Sequence, residues 1–317
     1  MTEPFVRPDV AVFLQFLNNV PGPKLHELGA PEARMVQNAM RDMADEPVGE
    51  LAVIRELAIP GPAGTIPARI YDRRADRGAG PAMVFFHGGG FVIGNVHTYE
   101  PYCAEVARLL DLPVISVDYR LGPEFPFPAA FEDCEAAARW VASNPDALGL
   151  NVTGLVLSGD SAGGNLTIST SMALRDKPAD IPVLAQLPIY PVVTLDPDWP
   201  SMRDFADGFL LTAELIQWFA DGHGASGEDY RTHPLDFDQS GMPPTVITTA
   251  SLDPLRDQGI AYLEKLRAAS VRVEHISAEG NIHGHINLRK GIPSSQQDVE
   301  SYVSALKSML TEFMAEA

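Results

Sequence analysis

Five short runs of this chain are apolar nearly throughout: Met83 to Phe86, Val114 to Val117, Leu155 to Leu157, Val183 to Ile189 and Val246 to Thr249. A strand that is apolar at nearly every position, and not at alternate ones, is covered on both faces, which is the setting of a parallel sheet. Helical segments lie between several of these runs, notably Ala129 to Ser143, Ala162 to Arg175 and Asp257 to Ala269. Strands that alternate with helices require crossovers, and the crossovers lay helices on both sides of a mostly parallel central sheet. The expected class is α/β.

Other segments attach to this frame. Leu51 to Ile59 and Ile66 to Tyr71 read as a hairpin, joined by the turn-forming stretch Pro60-Gly61-Pro62-Ala63-Gly64. A last strand is expected at Val271 to Ser277 and a terminal helix from Ser294 onward. Before residue 50, Val10, Phe13, Leu14 and Leu17 make one helical stripe and a second segment runs from about Pro31 to Ala44, which describes a helical arm outside the sheet. From Val192 to about Gly227 the alternation stops; a helical piece, Thr212 to Phe219, sits there in Pro/Gly/Asp-rich surroundings and reads as an insertion over the carboxyl edge of the sheet. No internal repeat, low-complexity tract or block of like charge separates independent domains.

Composition narrows the partners. With 23 Lys+Arg against 42 Asp+Glu the formal charge is −19, the wrong sign for gripping a phosphate backbone or an anionic membrane surface. Nucleic acid and membrane are therefore not expected as partners. The 317 residues, 45% of them hydrophobic, suffice for one large core. Cys103 and Cys134 have no metal-site or disulfide-framework spacing and read as core thiols. The first residues lack a basic n-region, and no stretch of about 18 apolar residues occurs anywhere. A cytoplasmic location is the default expectation.

The chemistry concentrates in Gly159-Asp160-Ser161-Ala162-Gly163-Gly164, which leaves an apolar strand and opens a helix. A tight strand-to-helix turn thrusts a serine oxygen outward, and only small neighbours two residues to either side permit it. The helix start also aims free N–H groups at developing negative charge. A phosphate cradle would have a Lys after the glycines, and none follows here. Upstream, His87-Gly88-Gly89-Gly90-Phe91 follows the strand Met83 to Phe86, and its N–H groups are suited to form an oxyanion hole together with that of Ala162. His87 reads as a brace for that loop.

A serine nucleophile needs a base, and the base needs an orienting carboxylate. His283 and His285 both lie in Glu279-Gly280-Asn281-Ile282-His283-Gly284-His285, after the last strand and on the same sheet edge as Ser161. Asp253 follows the strand Val246 to Thr249 at that edge, and the chain order Ser, Asp, His suits such a hydrolase. Asp257 is a rival acid, better placed to fix Arg256 or cap a helix. His283-x-His285 as half of a metal site has no companion ligand of fitting spacing.

Together these residues resemble the hormone-sensitive-lipase-like esterases of the α/β-hydrolase fold, bacterial family IV. Two further stretches fit: Asp118-Tyr119-Arg120-Leu121-Gly122-Pro123-Glu124, running on to Phe127-Pro128-Ala129-Ala130, and Asp253-Pro254-Leu255-Arg256-Asp257. The resemblance covers about residues 50 to 310. It implies Ser161 as nucleophile, Asp253 as acid and His283 as base, with Gly88, Gly89 and Ala162 as oxyanion donors. His285 is a departure, since the family commonly has an aromatic residue there. The resemblance further implies a helical cap made of residues 1–48 and 192–227 over a catalytic domain of residues 49–191 and 228–317. The first stretch, Asp118 to Glu124, is expected to be a buried ion-pair network bracing the turn, with no part in the chemistry.

The expected reaction is hydrolysis of small-acyl carboxylic esters through an acyl-enzyme, with no metal, nucleotide or redox cofactor. Phe13, Leu17, Phe209, Leu211 and Trp218 are expected pocket residues. A small-molecule ester is the expected partner, and a homodimer would match the family's habit. An amidase or lactone hydrolase would use the same triad. A silent ligand receptor on this fold would typically lack the histidine that His283 supplies, and a scaffold would leave the matched motifs unexplained.

Overall fold

The computed structural model describes residues 4–316, with side chains described through residue 312. The chain begins with two outer helices, α1 (Pro8–Asn19) and α2 (Ala30–Ala44). It then enters a sheet through the hairpin β1 (Val53–Gly61) and β2 (Gly64–Asp72) and continues to β3 (Gly80–Phe86). Next come α3 (Glu100–Leu110), β4 (Val114–Val117), α4 (Ala129–Ala142), β5 (Val152–Asp160), α5 (Ala162–Asp176) and β6 (Val183–Ile189). After β6 lie the short α6 (Pro200–Asp204) and α7 (Ala213–His223), and then β7 (Thr245–Leu252), α8 (Arg256–Ala268), β8 (Val273–Ile282) and α9 (Ser295–Glu316).

The eight strands lie in the order β1-β2-β4-β3-β5-β6-β7-β8. From β4 through β8 every pairing is parallel, and β2 is antiparallel to both of its neighbours. The α/β expectation holds. The hairpin closes more tightly than its sequence implies: the ladder runs to the pair Gly61 and Gly64, so only Pro62 and Ala63 form the turn.

The continuous apolar runs have the anticipated cause. In β3, Ala82, Val84 and Phe86 face a core shared with α4 and α5, while Met83 and Phe85 face the opposite core, shared with α3 and α9. Each fully buried large side chain contributes about 1.5–3 kcal/mol, and neither face can be given up without exposing half of the strand. Helix α8 joins the α5 side through Tyr262, Leu263 and Leu266, packed with Ile168, Met172 and Ile247. Cys103 and Cys134 are buried thiols, one in each core.

The outer helices are tied to this body at several points. Arg7 makes a bidentate pair with Asp298 in α9 at 2.7 and 2.8 Å. Arg289 does the same with Asp45, at the end of α2, at 2.8 and 3.0 Å, and both side chains are buried. Val10 and Leu14 of α1 pack with Phe205, Leu252, Ile282 and Ile292. Ala30 and Ala33 of α2 pack with Val92, Ile93, Trp218 and Phe219. Among the described residues no helix is long and apolar enough to cross a membrane.

The stretch Asp118 to Glu124 forms ion pairs as expected, and its partners reach beyond the turn itself. Arg120 pairs with Asp133 of α4 at 2.8 Å, Glu124 pairs with Arg34 of α2 at 2.7 Å, and Asp118 accepts the N–H of Val96. The partners come from elsewhere in the chain, so the stretch clamps α4 and α2 onto the sheet edge.

Candidate active site

The carboxyl ends of β3, β5 and β8 converge on one cavity of about 240 Å³, and the end of β7 lies behind it. Ser161 stands between β5 and α5 with φ +56° and ψ −117°, a strained conformation for a residue with a side chain. The strain is imposed by close packing: a Cβ on Gly163 would collide with the carbonyl oxygen of Phe86, and one on Gly159 with those of Gly163 and Phe86. Only bare glycines let α5 start this close to β3. The N–H of Ser161 donates to Ile189 in β6 at 2.9 Å, which fixes the turn from the other side.

His283 lies just past β8, and its Nε2 is 2.9 Å from Ser161 Oγ. Its Nδ1 is 2.7 Å from Asp253 Oδ2. Asp253 is fully buried after β7, and its other oxygen accepts the N–H of Leu255 at 2.8 Å. A buried carboxylate on Nδ1 leaves Nε2 free to act as acceptor toward the serine. The ring of Tyr190 packs against His283 with centroids 4.5 Å apart.

The rivals lie elsewhere. His285 is buried with its Nδ1 on the carbonyl oxygen of Ile282, and burial lowers its pKa. Asp257 pairs with Arg256 at 2.8 Å and accepts the N–H of Ser201, so it ties α8 to α6. His87 acts as the expected brace: it stacks on Tyr119 with centroids 4.2 Å apart, and Tyr119 Oη donates to the carbonyl oxygen of His87 at 2.6 Å. Burial lowers the His87 pKa to about 4, so its ring is neutral.

Gly88 needs correction as an oxyanion donor. Its N–H donates to Asp160 Oδ1 at 2.7 Å and is no longer available to a substrate. Gly89 and Gly90 line the cavity beside Ser161, and among the described residues their N–H groups, like that of Ala162, have no acceptor. The backbone N–H groups without an acceptor next to Ser161 are thus those of Gly89, Gly90 and Ala162.

Asp160 is the residue that sequence reasoning passed over. It is fully buried, lines the cavity, and also accepts from Tyr99 Oη at 3.1 Å and Tyr190 Oη at 3.4 Å. Burial raises its pKa to about 6. The available signal was an acid ending a strand that is otherwise apolar and small.

Of the five expected pocket residues only Leu211 lines the cavity. Phe13, Leu17 and Phe209 pack into the cluster around Val10 and Phe205, and Trp218 packs toward Ala30 and Ala33. Their sequence neighbours Leu210 and Phe219 face the cavity instead, with Val36 and Met40 of α2. The walls are apolar apart from a few groups, Gln37, Arg41 and Asn287 among them.

A family model described as alpha/beta hydrolase fold matches residues 83–287. The chain is 36% identical over 284 residues to an esterase, LipI, of Mycobacterium tuberculosis, covering 87% of this chain and 88% of that protein. It is 34% identical to the carboxylesterase NlhH of the same organism, covering 98% of this chain and 99% of the relative. Among solved structures, an esterase of Pyrobaculum calidifontis superimposes with a TM-score of 0.86 at 35% identity, covering 96% of this chain and 99% of that one.

Proposed function

The chain belongs to the hormone-sensitive-lipase-like carboxylesterases of the α/β-hydrolase superfamily, and from that premise we propose that it hydrolyses small-acyl carboxylic esters through a covalent acyl-enzyme on Ser161. The observation that carries this reading is the unbroken line Ser161 Oγ, His283, Asp253, with contacts of 2.9 and 2.7 Å.

In the proposed mechanism, Ser161 Oγ attacks the ester carbonyl carbon as His283 Nε2 takes its proton. Asp253 keeps the other ring proton on Nδ1 and stabilises the imidazolium. The carbonyl oxygen becomes an alkoxide and is met by the N–H groups of Gly89, Gly90 and Ala162, which need no reorganisation when the charge appears. The C–O bond to the alcohol breaks, and His283 returns its proton to the leaving oxygen. Water then attacks the acyl-enzyme by the same route, giving the acid and free Ser161.

The outer helices supply a cap in this reading. Helix α2 contributes Met40 and the segment 192–227 contributes Leu211 to the cavity wall, as a cap made of residues 1–48 and 192–227 requires. A cavity of about 240 Å³ with apolar walls holds a short acyl chain and a modest alcohol.

The test is hydrolysis of p-nitrophenyl esters over a series of acyl lengths, beside Ser161→Ala and a fluorophosphonate label. Burst release and labelling at Ser161, both lost in the variant, with an optimum at short acyl chains, are expected. No turnover and no label would sink the acyl-enzyme, and an optimum at long chains would sink the small-acyl preference.

A further inference from the structure

The loop that carries the oxyanion donors is unusual in its backbone. Gly89, Gly90 and Phe91 take φ values of +112°, +59° and +62° in succession. Glycine adopts such angles freely, but Phe91 does not, because its Cβ crowds the backbone there. Relaxation of its φ would turn the peptide planes on either side of Phe91 and carry Gly90 with them; the loop's own bonds, from the N–H groups of Val92 and Ile93 to the carbonyl oxygen of Gly89 at 3.0 and 2.9 Å, are supplemented by contacts from outside it.

The holding contact comes from the end of α7. The ring of His223 stacks on the ring of Phe91, with centroids 4.1 Å apart and planes 20° apart. Phe127 closes on the same imidazole edge-on, and the N–H of Phe127 donates to the carbonyl oxygen of His223 at 2.9 Å. One turn earlier on α7, Phe219 lies against Gly90 so closely that a Cβ there would enter its ring. On the other side, the N–H of Gly122 donates to the carbonyl oxygen of Phe91 at 2.8 Å, which fixes the backbone the ring belongs to.

The His223 ring also packs against Phe127 and Phe131, but its closest ring partner is Phe91. His223 is buried, its Nε2 has no hydrogen-bond partner among the described residues, and burial lowers its pKa to about 4. An unpartnered polar ring in an apolar site costs stability, so what it supplies is its flat face. We propose that His223 is a positioning residue for ester hydrolysis, and that its stack on Phe91 keeps the N–H groups of Gly89 and Gly90 aimed at the oxyanion. This rests on reading those two N–H groups as the oxyanion donors. Helix α7 then has two roles at once, because Leu215 and Phe219 on it also line the substrate cavity.

The test uses the full chain with His223→Leu, which keeps the apolar volume and loses the flat ring, and His223→Phe, which restores a ring. We measure kcat and KM on a short p-nitrophenyl ester, the inhibition constant of a trifluoromethyl ketone whose adduct carries the oxyanion, and Tm. The expected result for His223→Leu is a kcat lower by about 10- to 100-fold, less than the roughly 10²–10³ lost when an oxyanion donor is removed outright, because the donors are displaced and not deleted. KM should stay within about twofold, and ketone affinity should fall in step with kcat, as for any contact made only in the transition state. His223→Phe should recover to within about threefold of wild type, because an aromatic stack does not need the ring nitrogens.

Unchanged kcat in His223→Leu, or a His223→Phe variant as impaired as it, would overturn the proposal. If neither variant folds, Phe91→Leu asks the same question from the other side of the stack, and wild-type kcat there would also overturn it. A wild-type protein lacking Ser161-dependent turnover would instead sink the underlying oxyanion reading, which separates the two failures.

Discussion

The carboxylate of Asp160 accepts the N–H of Gly88 at 2.7 Å, so the residue immediately before Ser161 grips a loop that lies 72 positions earlier in the chain. This one bond ties the turn after β5 to the loop after β3. Asp160→Ala leaves the Gly88 N–H buried with no acceptor, a penalty of about 1–3 kcal/mol set against the relief of removing a carboxylate whose charge burial disfavours. It should also lower kcat by about 100-fold with little change in KM, since the displaced groups act on the oxyanion and not on bound ester. Asp160→Asn retains an oxygen acceptor at the same place and should keep most of kcat. Steady-state kinetics on both variants decide it, and an alanine variant with wild-type kcat would remove the positioning role.

Packing at the elbow permits a sharper contrast. In Gly163→Ala the new methyl meets the carbonyl oxygens of Phe86 and His87, both of them backbone atoms that cannot step aside. A loss of at least about 3 kcal/mol is expected, with activity lost because the Ser161 turn must open to relieve the clash. Gly78→Ala is the control: no heavy atom lies within 4 Å of the added carbon, and its effect should stay within about 0.5 kcal/mol. Chemical denaturation of the two variants beside wild type tests both statements.

These contrasts mark what the sequence could show. The elbow, the glycine loop and the order Ser161, Asp253, His283 are local signals, each set by a strand end and the few residues after it, and the fold brings their side chains within hydrogen-bond reach. Helix α3 escaped notice because Pro101, Tyr102, Cys103, Ala104, Val106, Ala107 and Leu110 are all buried, which blurs the helical period that marks a half-exposed helix. The choice between Gly88 and Gly90 turns on where the Asp160 carboxylate points, and no spacing records that. Pocket residues were missed by single positions: Trp218 for Phe219 on α7, where a shift of one residue rotates the side chain by about 100°, and Phe209 for Leu210 in the non-helical bend before α7, where Leu210 takes φ +72°. The partners of Arg120 and Glu124 are fixed only by tertiary packing.

The end of α2 offers a test of how the outer helices are held. Asp45 and Arg289 form a buried bidentate pair, and Met40 and Ala44, just before Asp45, line the cavity. Asp45→Ala strands the Arg289 guanidinium in the interior, so a loss of about 3–5 kcal/mol is expected. KM should rise as α2 loses its anchor and the cavity wall loosens. The double variant Asp45→Leu with Arg289→Met removes both charges and should recover much of the stability. Equal stability of the single and double variants in urea titrations would argue against an uncompensated charge as the cause.

Acid should destabilise this protein from a higher pH than ordinary carboxylate titration would imply. His87 and His223 each have a folded pKa of about 4 against an ordinary 6.5, so between those values the unfolded chain binds protons that the native state refuses. Stability from each is fully present above pH 6.5 and is lost as pH falls toward 4, by on the order of 3 kcal/mol per ring at 1.36 kcal/mol per unit. Asp160 works the other way. Its folded pKa of about 6 lies above the ordinary 3.8, so the native state holds a proton there that the unfolded chain releases. Its burial costs stability above pH 6 and ceases to cost it below about 4. Two histidines against one carboxyl leave a net loss on acidification between pH 6 and 4. His223→Phe should flatten that slope by up to one proton. Asp160→Asn should steepen it while raising stability at pH 8 by on the order of 3 kcal/mol, before any loss from altered hydrogen bonding. Urea denaturation at pH steps from 4 to 8 for the three proteins measures each slope, and parallel curves would show that neither His223 nor Asp160 is titrating as its burial requires.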